Sequence, residues 1–103
     1  MANILAIMRR FGIIKHPTDF MFELASKHKL IRKQLKLTQE ELAMRSGVSL
    51  GSIKRFESSG QISLESLLKL AQILNRLNDF ELIFKPIDNL EEIENKFSDE
   101  TRS

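Results

Sequence analysis

Residues 38–57 read TQEELAMRSGVSLGSIKRFE, and the spacing within this stretch predicts two short helices joined by a tight turn. Thr38 and Glu41 make a capping box, in which the threonine side chain accepts the backbone N–H three residues on and the glutamate reaches back to the N–H of Thr38. Leu42 and Ala43 follow as the apolar residues of the first helix. Gly47 stands where a left-handed residue closes that helix and starts a sharp turn, a conformation that glycine takes at little cost. Ser49 is the expected N-cap of the second helix. There Ile53 and Phe56 share a face at three-residue spacing and point into a core, which leaves Leu50, Gly51, Lys54 and Arg55 towards solvent. A short helix whose open face carries small residues and two cations fits the shape of the DNA major groove and the charge of its walls.

These residues, together with their neighbours, resemble the Cro/phage-repressor (XRE-type) helix-turn-helix family. The matching pattern is Ile31-Arg32, Thr38-Gln39-x-x-Leu42-Ala43, Gly47-Val48-Ser49, Ile53 and Glu57, followed by a helix carrying Leu67, Ala71 and Leu74. It runs from about Met21 to Leu74. The resemblance implies an all-α, five-helix, lambda-repressor-like domain with a short C-terminal extension. It also implies roles for single residues. Gln39, Ser49 and Ser52 would hold backbone phosphates, contacts that set register without reading sequence. Leu50, Gly51 and Arg55 would face base edges, Arg55 forking onto guanine O6 and N7 and Leu50 touching a thymine methyl. Gly51 can read nothing, so Lys54, DNA shape and dimer spacing are expected to supply the rest. Arg32 would form a structural ion pair with Glu57. A looser likeness, of architecture more than motif, connects the chain to HipB-type antitoxins.

Length and composition set the outer limits. With 103 residues and 42% hydrophobic content the chain makes one domain with one core. It contains no Cys, which excludes a disulfide framework, a thiolate metal site and a cysteine nucleophile and suits a reducing cytoplasm. No apolar run approaches a membrane span, and Arg9, Arg10 and Lys15 interrupt the apolar start without a cleavage site behind them. The net charge is only +2, but residues 1–20, 21–60 and 61–103 carry +2, +4 and −4. A basic half around the paired helices and an acidic tail are what a polyanion binder with a separate partner-facing segment would show; ordinary solvated faces would show them too.

Residues 4–10 read as a weak helix, although Ile13-Ile14 would equally serve a strand. His16-Pro17 ends that segment, and Thr18 or Asp19 then caps a helix over about 19–36, with Met21, Leu24, Ile31 and Leu35 as its apolar stripe and His28 at the stripe's edge. Neither His16 nor His28 has a second ligand at metal spacing. Lys27 and Lys29 read as solvated, whereas Lys33 and Lys36 suit either solvent or backbone phosphates. After the loop Ser58-Ser59-Gly60-Gln61, Ser63 caps a helix over about 63–76 whose core residues are expected to be Leu64, Leu67, Leu68, Ala71 and Leu74. Residues 79–85 fit a helix through Phe80, Ile83 and Phe84 or a strand through Phe80, Leu82 and Phe84; the acidic first turn after Asn78 favours the helix. Asp88 or Asn89 caps a last short helix with Leu90, Ile93 and Phe97 on one side and Glu91, Glu92 and Glu94 on the other.

The organisation expected is an N-terminal extension (1–18), the helix-turn-helix domain (19–77), a dimerisation or partner-binding extension (78–97) and a tail (98–103). Phe80, Ile83, Phe84 and Phe97 are the expected interface residues, because apolar stripes left open usually mark one. The other outlet for these phenylalanines is to fold back on the chain's own core. No catalytic constellation, phosphate-cradling glycine loop or metal site is present in the sequence, so neither enzyme activity nor a cofactor is expected. The expected function is sequence-specific transcriptional repression by a cytoplasmic homodimer on a palindromic operator in double-stranded DNA. The alternative is an antitoxin-type module that sequesters a toxin or other protein partner.

Overall fold

The element order follows from a series of local start and stop signals, each of which the computed structural model places at atomic detail over residues 16–88 and Glu94. Four α-helices, α1 (Pro17–Gln34), α2 (Gln39–Ser46), α3 (Leu50–Ser59) and α4 (Leu64–Ile73), are followed by a 3-10 helix over Leu77–Leu82. Among the described residues no strand occurs. The expectations for residues 4–10, for the helix with Leu90, Ile93 and Phe97, and for the tail lie outside the described residues.

α1 starts two to three residues earlier than the spacing of Thr18 and Asp19 suggests. His16 is its N-cap: Nδ1 accepts the Thr18 N–H at 3.3 Å, and Asp19 Oδ2 accepts the His16 N–H at 2.8 Å. Pro17 holds His16 in extended backbone (φ −82°, ψ 151°) and occupies the first helical position, where its missing N–H costs nothing. Thr38 caps α2 with the reciprocal bonds to Glu41 (3.0 and 3.2 Å), Ser49 caps α3 through the Ser52 N–H (3.1 Å), and Ser63 caps α4 through the Ser66 N–H (3.1 Å). Just before each of these three caps stands an apolar residue, Leu37, Val48 or Ile62, and at the fourth helical position stands another, Leu42, Ile53 or Leu67. All six belong to or pack against one core. This is the staple arrangement that fixes the angle at which the chain enters a helix, and it recurs three times within 31 residues.

Gly47 ends α2 at φ +76° and Gly60 ends α3 at φ +78°. Gly60 is needed for space as well as conformation, since an added Cβ would lie 2.8 Å from the Met21 backbone carbon. The turn at Gly60 therefore presses against α1.

The core is built from Ala25, Leu37, Leu42, Val48, Ile53, Phe56, Leu70 and Leu74. Phe56, Leu42, Ile53 and Leu70 are fully buried, each stabilising the fold by about 1.5–3 kcal/mol relative to an exposed position. Three expectations are corrected here. The buried face of α1 is Ala25, His28 and Arg32, while Leu24 and Leu35 stay exposed, because polar groups of α1 that find partners on α3 and at the Leu37 carbonyl displace the apolar stripe. On α4 the deepest residue is Leu70, and Leu64 is 65% exposed; a helix with leucine on every side gives no single face to count. The segment after α4 is neither the expected α-helix nor a strand. It makes six residues of 3-10 helix with no side-chain cap, then turns extended at Ile83, and Phe84 sits at φ +54° and is 98% exposed.

Candidate nucleic-acid interface

α3 divides sharply along its length. Ile53 and Phe56 have no exposed surface, whereas Gly51, Lys54 and Arg55 are exposed and Leu50 and Ser52 are half-buried. The period that buries one face opens the other. Gly51 has nothing within 4 Å of where a Cβ would stand, so this side of the helix is open to a close approach.

What holds α3 at this angle is Glu57, in its last turns. Arg32 grips the carboxylate with a fork, Nε to Oε2 and Nη2 to Oε1, both at 2.9 Å, while Nη1 donates to the Leu37 carbonyl at 2.8 Å. Gln39 Nε2 donates to Oε1 at 3.0 Å, and His28 Nδ1 lies 2.9 Å from Oε2. The His28 ring meets Phe56 edge-on, with centroids 5.0 Å apart. Arg32 and Glu57 thus meet as an ion pair with side chains only 8% and 3% exposed, and three helices are pinned at one carboxylate. His28 is not the stripe-edge residue its periodicity suggests. It is 5% exposed, and Nε2 has no hydrogen-bond partner among the described residues.

The electrostatics follow from burial and pairing. Burial lowers the His28 pKa more than the attraction of Glu57 raises it, so the ring is held below its ordinary value. Burial pushes the Glu57 carboxyl up, but hydrogen bonds from Arg32 and Gln39 and the Arg32 charge outweigh it and hold the group below its ordinary value. Its hydrogen bond to Glu57 raises Arg32 further. The cluster carries an ionised Arg32–Glu57 pair and a neutral His28.

Of the sequence-derived contact residues, Gln39 is already committed through one of its two amide hydrogens. Ser49 accepts the cap bond from Ser52 and donates its own hydroxyl hydrogen to Ser52 Oγ at 2.7 Å, so its side chain serves the helix start. Ser52 keeps its hydroxyl hydrogen for another acceptor. Arg55 does not extend freely into solvent: Nε donates to Gln61 Oε1 at 3.1 Å, and Nη2 donates to the same oxygen. Gln61, with no part in the sequence-derived set, is thereby joined to Arg55; its separation of six residues across a turn gives no periodic signal. Ser52, Arg55, Gln61, Ile62, Ser63 and Ser66 line one notch between α3 and α4. Phe80 is half-buried, Ile83 and Phe84 are exposed, and Phe97 lies outside the described residues. No helix of the described residues is long and apolar enough to cross a membrane.

The helix-turn-helix family matches residues 29–80, half of the chain. Neither the comparison with curated proteins nor that with solved structures returned a match.

Proposed function

From the premise that the chain belongs to the Cro/C1-type (XRE) helix-turn-helix family of DNA-binding regulators, we propose that it represses transcription as a homodimer bound to a palindromic operator. The observation that carries the reading is the two-sidedness of α3, fully buried at Ile53 and Phe56 and open at Gly51, Lys54 and Arg55. In this reading α3 lies in the major groove and Gly51 lets its backbone close on the base edges. Arg55 reads guanine, Leu50 meets a thymine methyl and Lys54 adds charge. Ser52 donates to a backbone phosphate, and the second amide hydrogen of Gln39, aimed by the bond to Glu57, does the same. Ser49 contributes the cap that places these donors.

The DNA-binding unit in this proposal is residues 17–77 and the dimer-forming extension starts at 78, with Phe80, Ile83 and Phe84 at the contact. Two recognition helices held about 34 Å apart match half-sites one turn apart. The second reading, a module that sequesters a protein partner, draws on the same exposed extension. Titration of DNA from the chain's own promoter region over salt, with competitor present, tests the first. Contacts to about 6–10 phosphates predict a loss of roughly 10³–10⁵ in affinity between 50 and 200 mM salt. Arg55→Ala is expected to abolish the specific footprint. A footprint unchanged by Arg55→Ala, alongside function lost on changing Phe80 or Phe84, favours sequestration.

A further inference from the structure

Gln61 stands just beyond α3, and the chain there is unusually constrained for a loop. Gly60 reverses the backbone at φ +78° against the backbone of Met21. Ser59 Oγ donates to the Arg55 carbonyl at 2.6 Å and accepts the Gln61 N–H at 3.3 Å. Ile62 packs against the core on the other side. Steric contact, hydrogen bonds and apolar burial thus fix where Gln61 begins, and its side chain runs back along α3 to Arg55. One oxygen, Oε1, accepts from both Nε and Nη2 of the guanidinium. This uses one edge of a planar five-donor group and leaves the other edge, with Nη1 and the second Nη2 hydrogen, unoccupied.

We infer that Gln61 is a positioning residue for base recognition: by holding the Nε–Nη2 edge of Arg55 it orients the opposite edge to make a bidentate contact with guanine. The inference rests on the DNA-binding reading above. An arginine on an exposed helix otherwise samples many rotamers, and ordering it at the moment of binding subtracts from the contact. A bidentate arginine–guanine contact discriminates by roughly 5- to 150-fold against the wrong base, but only in the correct plane and direction. Phosphate contacts, being sequence-independent, owe nothing to Gln61.

The test is selection from a randomised duplex library by the full-length chain and its variants, with nonspecific affinity and thermal midpoint measured in parallel. Wild type is expected to enrich a site with a guanine that Arg55→Ala no longer selects. Gln61→Ala should lower discrimination at that same base pair by about fivefold or more, while the other positions, nonspecific affinity and the midpoint hold. Gln61→Glu keeps an acceptor for both bonds, so it should keep the base preference while its charge weakens binding to every duplex. Arg55→Ala/Gln61→Ala should select as Arg55→Ala does, since the two act as one unit. Selection by Gln61→Ala identical to wild type overturns the inference and leaves DNA reading by Arg55 standing. Failure of the wild type to enrich any site overturns both.

Discussion

Glu57 is a single carboxylate that joins three helices, and the consequences of disturbing it differ by partner. Replacing Glu57 with Gln leaves the Arg32 guanidinium buried without a counter-charge, which is expected to cost about 3–5 kcal/mol in urea unfolding. His28 adds a pH dependence. Its folded pKa lies below the ordinary 6.5, so between those two values the unfolded chain binds more protons and stability falls as pH falls below about 6.5. Glu57, held below its ordinary 4.5, contributes stability that is present above that value and is lost as pH drops further. Urea midpoints measured from pH 8 to 3 should therefore decline in two stages. His28→Leu should flatten the first stage and keep the second; an unchanged first stage in that variant would assign it to another group.

At the scale of elements, the glycines of α3 and its exit are expected to respond in opposite senses. Gly51 lies inside a helix with open space around its Cα, so Gly51→Ala should stabilise the fold by about 0.5–1 kcal/mol in thermal or urea unfolding. If the α3 backbone closes on DNA, the same change should weaken DNA binding. Gly60→Ala combines a left-handed backbone with contact against Met21 and should destabilise by more than Gly47→Ala, whose Cβ would meet nothing and whose cost is conformational, about 1–2 kcal/mol. These elements were legible in the sequence because their signals are local: a cap and its partner lie three residues apart, and Ile53 and Phe56 show their face by spacing alone. The polar face of α1 was not legible by period, since His28 and Arg32 become core residues only through Glu57, more than two dozen positions away. The Arg32–Glu57 pairing came from resemblance to a known pattern. Leu70 was hidden by its equally apolar neighbours. Gln61 was hidden because a turn, not a helical repeat, brings it to Arg55. The segment after Asn78 was ambiguous because alternating and helical apolar patterns overlap in Phe80–Phe84, and a 3-10 turn satisfies neither fully.

For the molecule as a whole, the exposed extension and the buried core do different work. Phe84 holds a bulky ring in solvent on a left-handed backbone, an arrangement that costs the single chain about 1–2 kcal/mol and buries nothing within it. Phe84→Gly should therefore preserve or slightly raise the thermal midpoint at low protein concentration. If this ring is a contact in the proposed homodimer, self-association measured by sedimentation equilibrium should weaken by about tenfold or more. An unchanged association constant would move the contact elsewhere. The separation visible along α3 carries furthest. Lys54 and Arg55 are exposed and Gly51 has empty space beside it, while Ile53, Phe56 and Glu57, which tie α3 to the rest of the fold, are held on the other side. If α3 reads DNA as proposed, recognition and folding fall largely to different residues, and substitution at 50, 51, 54, 55 and 61, natural or engineered, would rewrite what is bound at little cost to the fold.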